Sequence, residues 1–241
     1  MSYDIQSPKM ERLGAFSFRH MVRLDFAAAD YTVYYHVNGY SHPRLPVITG
    51  NQIRLLEWGL IPPEVKDATE AFNARNSTLN AEAETIFIHP VFRCRILGDR
   101  GILLAEGFYE WWEYQGRKYP YFIKGTELLT IGCVLSRWQN PATGRLHTTF
   151  SIVTTPVAEE EEDGTGIARR MPLIVTDFKK WLDPGLQRPD LESLMVPYTG
   201  PLKSWTVSRK LIEMGKDGSN TPDIADPISY RELIPHRAGA R

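Results

Sequence analysis

Apolar positions along this chain alternate with polar ones more often than they recur at helical spacing. A period of two is the signature of strands that turn one face toward a core. Tyr31–Val37 is aromatic and β-branched, and Leu45–Thr49 is a short apolar run. Gln52–Ile61 continues it after Gly50-Asn51, a pair suited to a hairpin turn, and Pro62-Pro63 ends the strand. Four strands follow in series: Ile102–Tyr114, Tyr119–Lys124, Leu128–Trp138 and His147–Val157. Their short polar connections suit an antiparallel meander. Met171–Val175 and Ser204–Ser208 add two shorter strand-like pieces, with loop beyond. Helical signals are few. They are a weak one over Arg12–Arg23, a second over Ser77–Ile86 with Asn76 or Ser77 as N-cap, and a third over Asp177–Leu182, capped by Asp177 and stopped by Pro184. The pattern predicts an α+β fold over residues 1–241. A single strand-rich domain would hold an antiparallel meander or barrel-like sheet and a few short helices, with a peripheral tail from about residue 228.

Composition narrows the function classes. The 241 residues are 42% hydrophobic and 24% charged, ordinary for a soluble globular protein. No apolar run approaches the roughly 20 residues that span a bilayer, so no membrane partner is expected. The N-terminus mixes charges and lacks an apolar signal region. Cys94 and Cys133 lie in apolar contexts that suggest buried thiols, which points to the cytoplasm. A net charge of −1 means that any nucleic-acid site must be a local basic groove. The acidic run Glu159–Asp163 reads as a solvated loop. The six histidines are scattered without metal-ligand spacing, and no Gly-rich phosphate loop or GxSxG elbow occurs. No metal and no cofactor are expected. A cysteine peptidase built on Cys94 or Cys133 is disfavoured, because both sit in apolar runs and a buried thiol is usually inert.

The chemistry centres on Gly101–Trp112, GILLAEGFYEWW, where Glu110 is the lone carboxylate among Tyr109, Trp111 and Trp112. On a strand buried on both faces it would be poorly solvated and suited to proton transfer near neutral pH. On an exposed strand it would be an ordinary surface carboxylate.

Four stretches in register carry a resemblance: Trp58-Gly59-Leu60-Ile61-Pro62, Asn73-Ala74-Arg75, Gly107-Phe108-Tyr109-Glu110-Trp111 and Arg170-Met171-Pro172-Leu173, with Phe92-Arg93-Cys94 between the second and third. Their order resembles the SRAP family, the SOS-response-associated peptidases that recognise abasic sites in single-stranded DNA. The resemblance runs from residue 2 to about Pro227. It implies a monomer whose residue 2 is exposed by removal of Met1. The α-amine of residue 2 attacks the ring-opened aldehyde of an abasic sugar, and a cysteine thiol there closes a stable thiazolidine crosslink. An α-amine with a reference pKa of about 7.7–8.0 keeps a useful neutral fraction at pH 7. By the same resemblance Ser2 supplies the amine, Asn73 positions it and Glu110 shuttles protons. Arg75 and Arg170 hold phosphates, for which a bidentate guanidinium is suited. Trp58, Pro62, Phe92 and Met171 are placed with them on the DNA-binding side.

The chain departs from the family at three points. Ser2 stands where the family has cysteine, and a hydroxyl is a far poorer nucleophile than a thiol. An imine could form, but oxazolidine closure should be weaker and reversible. No histidine precedes Arg170-Met171-Pro172, where the family has one. Glu64 occupies a place commonly aromatic, which removes a stacking platform worth about 1–3 kcal/mol and repels phosphate. Ser2 fits an introduced substitution or a divergent member, and three changes on one face favour divergence. A binding module on the same fold, with crosslinking lost, is the alternative reading.

Overall fold

The computed structural model describes residues 3–157, 170–213 and 218–233. Among them the strands in chain order are β1 (Asp4–Gln6), β2 (Arg23–Leu24), β3 (Val37–Asn38), β4 (Arg44–Thr49), β5 (Gln52–Trp58), β6 (Asn80–Glu82), β7 (Arg100–Ala105), β8 (Gly107–Tyr114), β9 (Arg117–Lys124), β10 (Leu129–Gln139), β11 (Leu146–Pro156), β12 (Arg170–Pro172) and β13 (Lys203–Thr206). The helices are α1 (Met10–His20), α2 (Ala68–Ser77), α3 (Phe178–Trp181), α4 (Arg188–Leu194) and α5 (Lys210–Glu213).

The strands form two sheets. In the larger, β11, β10, β7, β4 and β5 follow one another as antiparallel neighbours, and β5 returns to pair in parallel with β11 at Thr149↔Glu57 and Phe150↔Trp58. That seam closes a five-stranded barrel, with β2, β6 and β12 on its margins. The smaller sheet has the order β13-β9-β8-β1-β3.

Period-two patterning explains how the barrel strands serve two cores. On β7, Leu103 and Ala105 pack with Leu45, Trp58, Cys133, Phe150 and Ile5 inside the barrel. Ile102 and Leu104 face the opposite way, onto Leu13 of α1, Trp181 of α3 and Leu191 of α4. A strand buried on both faces reads as an unbroken apolar run, which is how Ile102–Ala105 stands in the sequence. The run does not continue as one strand through Tyr114. Between β7 and β8 the chain leaves the barrel for the smaller sheet, and Gly107 permits this. A Cβ there would lie 2.5 Å from the Ile123 carbonyl oxygen and 2.5 Å from the Phe122 ring.

Three expectations are corrected. The helix assigned to Ser77–Ile86 lies earlier, as α2. Asp67 caps it by accepting from the backbone N–H groups of Thr69 and Glu70 at 2.8 Å each, and the Thr78 hydroxyl donates to the Ala74 carbonyl where the helix ends. Most of Tyr31–Val37 is not ladder-paired, because its polar groups are met otherwise. The Tyr31 hydroxyl donates to the Pro8 carbonyl and the Tyr35 N–H to Asn220. Cys133 is buried but Cys94 is exposed, since it sits in the turn-rich stretch after His89 rather than in a strand. The segment from residue 228 is largely exposed as far as it is described, with two anchors: the Ile228 N–H donates to the Thr206 carbonyl, and Leu233 is buried with Trp112 and Tyr119. The α4 helix was not anticipated. Gln187 and Asp190 form its capping box, and a proline stands in its first turn.

Candidate functional site

The site is organised by β1, which inserts between β3 and β8. Its register pairs Ile5 with Phe108 and Asp4 with Tyr109 on β8. The ladder ends at Asp4, so the next residues outward on the two chains are Tyr3 and Glu110, which by alternation share one face. The face is the one that carries Ile5 and Phe108 into the barrel core. Glu110 is buried there at 5% exposure, so the buried alternative of the sequence reading holds. On the other side the Gly39 N–H donates to the Tyr3 carbonyl at 2.7 Å. Tyr3 is thus held at the end of the ladder that leads toward Glu110.

A polar chain on the opposite face fixes β1. Asp4 accepts from His36 Nε2 at 3.0 Å and from Asn38 Nδ2 at 2.8 Å, while His36 Nδ1 meets the Ser219 hydroxyl at 2.6 Å. Asp, His and Ser stand in the sequence of a nucleophile relay, but Ser219 is fully buried, so no carbonyl reaches its hydroxyl. The cluster is a tether.

Facing Tyr3 is β6, held parallel to β11. Both polar atoms of the Asn80 carboxamide are buried with no well-formed hydrogen bond among the described residues. Tyr3 and Asn80 line a cleft of about 450 Å³ with Tyr40, Glu82 and His89. Burial pushes the Tyr3 phenol up, Tyr40 adds to this, and the Asn80 amide acts the other way. The Asn80 carboxamide thus meets the Tyr3 phenol at most loosely and presents its polar atoms to the cleft.

The other expected site residues are placed as follows. Asn73 is exposed on α2, one turn before Asn76, and does not line the cleft. The dipeptide Asn-Ala occurs twice, at Asn73-Ala74 and at Asn80-Ala81, and the structure puts the second at the cleft. Arg75 is half-buried, paired with Glu57 at 3.2 Å, and burial lowers its pKa while Glu57 opposes that. Glu57 also takes His147 Nδ1 at 3.1 Å. Arg170 grips Glu84 through both terminal nitrogens at 2.8 and 2.7 Å, which raises its pKa and lowers that of Glu84.

Trp58, Pro62, Phe92 and Met171 are buried, so no base stacks directly on them. The Trp58 indole N–H donates to the Leu79 carbonyl at 2.8 Å and its ring stacks on Phe150. Phe92 stacks on His89 with ring centroids 4.7 Å apart, and Met171 packs in the barrel core. Of the four, only Phe92 lines the cleft. Glu64 is less repulsive than expected, because Arg95 pairs with it at 3.0 Å. Ser2, the Glu159–Asp163 run and the positions preceding Arg170 lie outside the described residues.

The family model described as SOS response associated peptidase (SRAP) matches residues 17–214. This chain is an SRAP protein. The abasic site processing protein YoqW of Bacillus subtilis is 35% identical over 185 residues, covering 74% of this SRAP chain and 78% of that one. The abasic site processing protein HMCES of Gallus gallus is 30% identical over 152 residues, 53% of this chain and 44% of its own length. A crystal structure of a protein from Bacteroides thetaiotaomicron superposes with a TM-score of 0.83 at 30% identity, covering 94% of this chain and all (100%) of that one. The strand-rich α+β architecture is thus the family fold.

Proposed function

We propose that this SRAP protein processes abasic sites in single-stranded DNA through the α-amine of Ser2 once Met1 is removed. What supports the reading is the course of β1: its ladder with β8 runs from Gln6 to Asp4, toward buried Glu110, and Tyr3 beyond it lines a cleft with Asn80. The names of relatives that process abasic sites support it.

In the chemistry this arrangement suits, the neutral amine adds to the aldehyde carbon. The C–N bond forms, the carbonyl oxygen takes a proton, and the amine nitrogen loses one. Glu110 then protonates the departing hydroxyl, water leaves, and an imine remains. Asn80 accepts from the amine or donates to the aldehyde oxygen, holding the two reactants in line. The Ser2 hydroxyl can add across the C=N bond to give an oxazolidine, a reversible closure compared with that of a thiol.

The test uses protein whose Met1 removal is confirmed by mass, incubated with single-stranded DNA carrying one abasic site, with and without borohydride. A borohydride-dependent adduct is expected on a denaturing gel. Glu110→Gln should abolish it, Asn80→Ala should slow it by about 10²-fold, and Asn73→Ala should leave it unchanged. Ser2→Cys should give an adduct that survives heating without borohydride. No adduct from either the native sequence or Ser2→Cys would refute the amine mechanism, and retained DNA affinity in that case would select the binding module.

A further inference from the structure

The cleft that faces Asn80 has an unusual charge for a site that accepts nucleic acid. Single-stranded DNA is normally gripped by a positive groove. Here, among the described residues, the lining includes one carboxylate, Glu82, and no lysine or arginine. The cation beside it is already engaged. A guanidinium carries five N–H donors. In Arg170, Nε donates to the Thr154 hydroxyl at 3.2 Å, Nη1 to Glu84 Oε1 at 2.8 Å, and Nη2 to both Glu84 Oε2 at 2.7 Å and the Thr154 carbonyl at 2.9 Å. Among the described residues one N–H of Nη1 is left, and Glu82 Oε1 lies 3.9 Å from Nε. A phosphate therefore cannot take the two-pronged grip on Arg170 without first displacing Glu84. Among the described residues, two carboxylates stand against this one guanidinium.

We propose that Glu82 and Glu84 form a charge gate on this cleft, holding Arg170 as their own counter-ion and selecting against a lesion that brings phosphates close to the rim. The gate determines specificity within the abasic-site reading and rests on it for the identity of the reacting group. Within single-stranded DNA the gate favours a lesion whose flanking phosphates stay clear of the rim. A lesion that brings a phosphate to the rim enters only by exchanging carboxylate for phosphate on Arg170. Both glutamate side chains are nearly half exposed, at 45% and 46%, so they can swing away without unfolding β6.

The experiment uses the full chain and two readouts. The first is fluorescence anisotropy with a 15-nucleotide single strand, once unmodified and once with a central tetrahydrofuran abasic analogue, over a salt series. The second is borohydride trapping of the corresponding aldehyde strand. Glu82→Gln removes a charge about 5 Å from an incoming phosphate and should tighten binding about fourfold at low salt. Glu84→Gln frees Arg170 to neutralise one more phosphate. It should tighten binding similarly and steepen the slope of log affinity against log salt by about 0.7. Unchanged affinity and slope in both variants, with thermal melting at the native temperature, would overturn the gate even if the native protein traps the aldehyde. The expected gains on either strand without any trapped adduct would support the gate and refute the amine chemistry. Should Glu84→Gln misfold, Glu82→Gln decides by affinity alone. Binding that stays undetectable in all proteins would overturn both ideas.

Discussion

Replacing His36 with alanine tests how the chain start is held. Asp4 is 5% exposed and His36 3%, so their contact is screened little by water. The carboxylate accepts two side-chain hydrogen bonds, from His36 Nε2 and Asn38 Nδ2. His36→Ala removes one of them and the 2.6 Å contact to Ser219. A buried bond to a charged acceptor is worth about 1.5–3 kcal/mol and a neutral one about 1 kcal/mol. The vacated imidazole space adds a packing loss, because the ring lies edge-on to Tyr109 at 5.2 Å. The sum is about 3–5 kcal/mol, in line with breaking one side of a buried pair. It should fall mainly on β1, whose ladders span three residues on the β8 side and two on the β3 side. Amide exchange at Ile5 should therefore accelerate by about 10²-fold or more, as local opening overtakes global unfolding. Urea denaturation followed by tryptophan fluorescence should show the global share, and His36→Gln, which keeps a donor, should cost about 1 kcal/mol. A global loss below about 1 kcal/mol for His36→Ala, with unchanged exchange at Ile5, would refute the tether.

Two further outcomes follow from burial. Trp58→Phe deletes the indole bond to the Leu79 carbonyl inside the barrel. It should lower stability by about 1–3 kcal/mol while leaving affinity for single-stranded DNA within twofold. A selective loss of affinity in a stable variant would mean that the ring meets a base. The Tyr31 phenol is pushed up to about 12 by burial, against some lowering by Ser7. Its folded value lies above the unfolded one, so its contribution to stability is fully present below pH 10 and is lost as pH rises through about 12. Absorbance at 295 nm alongside far-ultraviolet dichroism should show Tyr31 ionising together with unfolding. Ionisation near pH 10 in a folded chain would contradict its burial.

Local chemistry made part of the fold legible. The Gly50-Asn51 turn, the polar connections between β8, β9, β10 and β11, and the Asp177 cap of α3 are each written within a few residues. What depended on distant partners was not. Asn80–Glu82 has helix-compatible neighbours, yet it is a strand because Ile152, Val153 and Thr154 of β11 offer it a parallel edge. His36 meets Asp4 across 32 residues and Ser219 across 183, a pairing no spacing rule contains. Glu110 was legible because aromatic neighbours along its own strand announced a desolvated carboxylate. Asn80 was missed because the first Asn-Ala pair is followed by an arginine and drew the assignment. The repeated dipeptide was the available signal, and only the cleft distinguishes the two copies.

The tether also sets when the reactive end comes into being. The first strand leaves the ribosome early, yet its ladder partner is β8 and its last lock is Ser219. At about 5–20 residues per second, roughly 10–40 seconds separate the synthesis of Asp4 from that of Ser219. Through that interval β1 lacks its final lock, so on the amine reading proposed above an unfinished chain would carry the nucleophile without its site, and completion of the polypeptide would be the arming step.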